Sequence, residues 1–120
     1  MLSWISLKQE WWKGMVEIPV ETVIGSVFIQ ALEKGITYVP FSVIEDYARE
    51  IQKRSHRKIF FYFSRDEVYK AMDELGDAFE LCDEGIRCNK DIDVEKLREI
   101  HLGWLPIDLA VIFSEIKISF

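Results

Sequence analysis

The sequence predicts a single α+β domain over residues 1–120: a mostly helical core with a short antiparallel β-hairpin and extra elements at both ends. Three observations predict the class. Apolar residues recur at helical spacing in several separate stretches, each bounded by Gly, Pro or a capping side chain. The alternating or β-branched runs between them are short, enough for a small sheet and no more. A chain of 120 residues, 49% hydrophobic and 30% charged, can close one core without staples and is too apolar to remain disordered.

In chain order, Trp4, Leu7, Trp11 and Trp12 share one face of a short amphipathic helix that Ser3 can cap and Gly14 ends. A longer helix starts near Pro19, holds Val20, Val23, Ile24, Val27, Phe28, Ala31 and Leu32 at helical spacing, and closes at Gly35. Residues 36–39 read as a short strand. Pro40 and Ser42 open the next helix, in which Ser42 and Glu45 form a capping box and Ile44, Tyr47, Ala48 and Ile51 face inward. Residues 58–63, rich in aromatic side chains, read as a strand. Ser64 and Glu67 form a second capping box for a helix with Val68, Met72 and Leu75 inward and Gly76 at its end. Residues 78–82 and 86–89 make a hairpin about Asp83-Glu84-Gly85, with Leu81 opposite Cys88 and Phe79, Leu81, Ile86 and Cys88 on one face. Asp91 or Asp93 caps a helix through Leu97 and Ile100 that stops at Gly103. From Pro106 a last helix through Phe113 leads into a terminal strand, where Ile116, Ile118 and Phe120 alternate with Lys117 and Ser119.

Between residues 19 and 89 the order helix, short strand, helix, helix, two-stranded hairpin resembles a winged helix-turn-helix. Residues 1–14 then form an N-terminal arm and residues 91–120 a C-terminal extension. The resemblance implies that the helix over 42–54 precedes a recognition helix over 64–75 and that the hairpin is the wing. Residues 55–63 depart from the pattern, replacing the usual short turn with a strand. Recognition helices read base edges with Arg, Lys, Asn and Gln. Here the corresponding face offers Asp66, Lys70, Asp73 and Asp77, and the wing tip is Asp83-Glu84. Both would meet phosphate with like charge, which disfavours major-groove reading.

Positive charge is concentrated elsewhere. Arg49, Lys53, Arg54, Arg57, Lys58 and Arg65 lie within seventeen residues, opposed in that stretch by Glu50 alone, on a chain of net charge −6. The net charge is unfavourable for non-specific binding to nucleic acid or anionic membrane, so only this pole could engage a polyanion. Two functional readings stand beside a structural one. The leading reading is contact with an acidic protein surface through Lys53, Arg54, Arg57, Lys58 and Arg65, in a non-enzymatic interaction module acting on a partner or within an assembly. The alternative is a nucleic-acid-binding regulator of winged-helix type, with the same cations on phosphates and Phe61 or Phe63 stacking bases. In the structural reading the cations complement a helix C-terminus and the aromatics belong to a core strand.

Other chemistry finds little footing. His56 and His101 are far apart and the Cys82–Cys88 spacing matches no zinc motif, so no metal is expected. No nucleophile elbow and no glycine-rich phosphate loop is present, and Cys82 stands beside two carboxylates that oppose thiolate formation. No enzyme activity and no cofactor are expected. Cys82 and Cys88 fall on opposite hairpin faces and read as free thiols, which fits a cytoplasmic location. No signal peptide is visible, and the longest apolar run, residues 109–113, is far short of a membrane span. The scarcity of amides beside plentiful Ile, Glu and Lys leans toward a thermophilic source. Three tryptophans in the first twelve residues and an apolar stretch at 105–113 suggest more hydrophobic surface than a monomer hides. A homodimer is expected, with Trp4, Trp11 and Trp12 as its contact.

Overall fold

A computed structural model describes residues 16–55, 59–60 and 64–120. The expected N-terminal arm, with Trp4, Trp11 and Trp12, lies outside the described residues. The class is α+β as expected: five helices and a small three-stranded antiparallel sheet, with one further parallel strand pair. In order these are β1 (Val16–Glu17), α1 (Val20–Glu33), β2 (Tyr38–Pro40), α2 (Phe41–Arg54), β3 (Ile59–Phe60), α3 (Arg65–Leu75), β4 (Phe79–Leu81), β5 (Gly85–Cys88), α4 (Val94–Leu102) and α5 (Ile107–Glu115).

The α1 sequence is apolar on nearly every side, and such a helix has to be central. It packs against α2, α3 and α4, and every residue from Thr22 to Ile29 is buried. Phe28 meets Phe79 of the hairpin edge-on, with ring centroids 5.3 Å apart. Two polar residues on this helix, Thr22 and Ser26, are buried as well. Ser26 has its partner in Tyr47 of α2, at 2.6 Å between hydroxyl oxygens. Tyr47 in turn donates to the Phe113 carbonyl of α5 at 2.9 Å. A phenol has one proton, and a carbonyl can only accept, so Ser26 is the donor to Tyr47. This chain of bonds ties three helices together inside the core.

The sheet has the strand order β2-β5-β4, so the hairpin is anchored to the body through β2. Phe79, Leu81, Ile86 and Cys88 share one face as expected, but the register differs: Leu81 pairs with Ile86 and Phe79 with Cys88. The cause is Gly85. Cys82 N–H donates to the Gly85 carbonyl at 2.8 Å, closing the turn over Asp83-Glu84 and leaving Gly85 inside β5. There it lies opposite Pro40, where an added Cβ would come 2.8 Å from Pro40 Cα and 2.9 Å from the Tyr38 hydroxyl. Only glycine permits that approach.

Two expected caps form and one does not. Ser64 Oγ accepts from Glu67 N–H at 3.3 Å, and Asp93 accepts from Glu95 and Lys96. The expected Ser42–Glu45 box is absent, because α2 starts one residue earlier, at Phe41. The chain passes from β2 into α2 without a turn, and Phe41 N–H donates to the Glu84 carbonyl, so Ser42 is already inside the first turn. Of the expected strand at 58–63, Ile59–Phe60 is seen, paired in parallel with β1, while residues 58 and 61–63 lie outside the described residues.

The expected terminal strand is corrected too. Ile116 and Ile118 are buried and alternate with exposed Lys117 and Ser119, but no strand pairs with them among the described residues. The Gln30 amide takes the place of a neighbouring strand. Its nitrogen donates to Ile116 O at 2.7 Å and its oxygen accepts from Ile118 N–H at 3.0 Å. Cys82 and Cys88 are free, and burial pushes the Cys88 thiol up to about 11. Among the described residues no helix is long and apolar enough to cross a membrane.

Candidate interaction surface

The basic pole begins on the wet face of α2, where Arg49, Lys53 and Arg54 are exposed. Helical geometry brings residues three and four positions apart together. Arg49 therefore reaches Asp46 and, at 4.0 Å, Glu45, while Arg54 Nε meets Glu50 at 3.0 Å. Counting cations between positions 49 and 65 overlooks Glu45 and Asp46, which precede the segment in sequence but face it in space. On this part of α2 three carboxylates balance three cations, and the exposed pairs contribute about 0.3–0.5 kcal/mol each. Lys53 alone of the three has no carboxylate within ion-pair distance among the described residues.

The end of α2 also bears out part of the structural reading of the pole. Lys53 and Arg54 occupy its last turn, where cations complement the helix dipole. Buried Ser55 closes that turn, its hydroxyl donating to Gln52 O at 2.9 Å and its N–H to Ile51 O. Arg57, Lys58 and the side chain of Arg65 lie outside the described residues.

A second surface has the opposite sign. On α3, Val68 and Ala71 are buried and Met72 and Leu75 half-buried against α1, which turns Asp66, Tyr69, Lys70, Asp73 and Glu74 to solvent. Lys70 is drawn to Glu67 at 3.7 Å. Exposed Asp77 follows Gly76, whose φ of 84° ends the helix in a backbone conformation that favours glycine. The hairpin tip adds exposed Asp83 and Glu84. Arg87 on β5 is exposed, its guanidinium 5.5 Å from the Tyr38 ring centroid. The acidic character read from the sequence at both places corresponds to solvent-facing carboxylates.

A third surface is apolar and involves the last two helices. Leu109 and Phe113 of α5 point into the core, so Ile107 and Val111 point away from it, 83% and 44% exposed. Ile100 and Trp104, at the end of α4 and just beyond, are about half exposed. The apolar richness of residues 105–113 was legible in the sequence. Which of its residues face water required the position of α5 on α2.

His101 is the one buried histidine among the described residues, 5% exposed and packed on Gly25 of α1. Burial holds its imidazole below the ordinary 6.5. Among the described residues no group of three or more His, Cys, Asp or Glu side chains could hold a metal ion. No protein-family model matches this chain, and neither a curated protein nor a solved structure shows significant similarity to it.

Proposed function

We propose that this chain is a non-enzymatic interaction module of winged-helix type that engages a protein partner, with Lys53, Arg54, Arg57, Lys58 and Arg65 meeting an acidic surface. The winged-helix part rests on element order together with the β2-β5-β4 sheet, in which the strand before α2 holds the hairpin against the helices. The choice of protein over DNA rests on one observation. The two elements such a fold presents to a duplex, α3 and the hairpin tip, both expose carboxylates: Asp66, Asp73, Glu74, Asp83 and Glu84. Phosphate contacts dominate the affinity of DNA-binding proteins, and each of these side chains would repel them.

The test uses a heparin column and a labelled DNA duplex at low salt. The full-length chain is expected to pass the column and leave the duplex unbound. In affinity capture after nuclease treatment, a partner held by the wild type is expected to be lost by the Arg57→Glu/Lys58→Glu variant. Retention on heparin or DNA that falls steeply with salt and vanishes in that variant would instead establish the regulator reading.

A further inference from the structure

The apolar face of α4 and α5 carries an inference independent of the basic pole. Outward-facing Ile107 and Val111 form a ridge along α5. Both also line one wall of an open hollow that Leu102, Leu105, Ala110, Ser114 and Lys117 help to form. Ridge and hollow thus belong to one continuous patch, and the small side chains of Ala110 and Ser114 leave room for another helix to approach closely. A surface holding both a knob and its hole is self-complementary, which is the requirement of a two-fold interface.

Charge argues for the same occupant. Pro106 precedes α5 and no side chain among the described residues caps its N-terminus, so that end presents free N–H groups and the positive pole of the helix dipole. Exposed Glu115 lies at the other end of the same helix. If two copies pack α5 against α5 antiparallel about an axis at Val111, Ile107 of one lies opposite Glu115 of the other. The carboxylate then meets the uncapped N-terminus, and exposed Asp108 comes toward the second copy's Lys117. Both attractions occur twice, by symmetry.

We infer that a second copy of this chain covers this face, forming a homodimer through antiparallel α5 helices with Val111 at the two-fold axis. Sedimentation of the full-length wild type is expected to give a dimer. Ile107→Asp and Val111→Lys should each raise its dissociation constant about 30-fold or more, as losses at an interface centre do. Their far-UV spectra should stay unchanged, since both side chains are exposed in the monomer, while their melting temperatures should lose the concentration dependence that dimerisation gives the wild type. In a Cys82→Ser background, Val111→Cys should cross-link to its own copy on oxidation, whereas Ser42→Cys, exposed on α2, should not. A wild type that remains monomeric at its highest soluble concentration overturns the inference. So does a dimer that survives both charged variants, and a dimer lost only in Trp11→Ala/Trp12→Ala would move the contact to the N-terminal arm.

Discussion

Ser26, Tyr47 and Phe113 are far apart in sequence and joined in the core by two hydrogen bonds, one of 2.6 Å and one of 2.9 Å. Burial raises the Tyr47 phenol well above its ordinary value, so it stays a neutral donor across the working pH range. Tyr47→Phe removes that hydroxyl and leaves Ser26 without its acceptor and the Phe113 carbonyl without its donor. The expected loss is about 1–3 kcal/mol by urea denaturation, and Ser26→Ala in the same background should restore part of it. His101 makes a different case. Its ring fills the space where a side chain on Gly25 would be, with ring atoms 2.6 Å from an added Cβ. Because its folded pKa lies below the unfolded value, the unfolded chain takes up a proton first as pH falls. Stability from this site is complete above roughly pH 6.5 and declines below it until the folded pKa is reached. The melting temperature is expected to drop between about pH 7 and pH 5, and His101→Gln should flatten that part of the profile.

At the level of elements, the helices were largely legible and the strands only as residue sets. Helix α1 follows from a stripe of Val, Ile and Phe that repeats for four turns, and local caps at Ser64 and Asp93 act within three residues. The hairpin face was readable from alternation. Its register was not, because Gly85 is drawn into β5 by the close approach of β2, a contact between segments over forty residues apart. Alternation likewise predicted an extended C-terminal segment with Ile116 and Ile118 inward, but nothing local shows that a glutamine amide is its partner. Gln30→Ala should release that segment. Amide exchange at Ile118 is expected to accelerate by at least 10-fold while amides in α1 keep their protection, which corresponds to losing about 1.4 kcal/mol of local stability. Equal acceleration in both places would mean that the tail supports the whole core.

Across the described residues, three surfaces of different character surround one core: the exposed cations Arg49, Lys53 and Arg54 of α2, the carboxylates of α3 and the hairpin tip, and the apolar face of α4 and α5. Their separation matters for the proposed function. A net charge of −6 keeps general affinity for polyanions low, so the pole can act only at short range, within a Debye length of about 8 Å at physiological salt. The pairing of Arg49 with Glu45 and Asp46, and of Arg54 with Glu50, shortens that reach further. The proposed two-fold through Val111 would duplicate the pole and give a partner two equivalent contacts.

The amino-acid order alone was enough for the α+β class, the five described helices, the inward faces of α1 to α3, and the acidic character of α3 and the hairpin tip. These depend on periodicity, caps and residue type, all of which act within a few positions of the chain. Only the tertiary structure decided the hairpin register, the side-chain partner of the terminal segment, the burial of His101 on Gly25, and the outward direction of Ile107 and Val111. It also decided that Arg49 and Arg54 are paired, since a helical turn sets carboxylates beside cations that a linear count keeps apart. Each of these depends on what a second segment places against the first, and that is set by packing around α1.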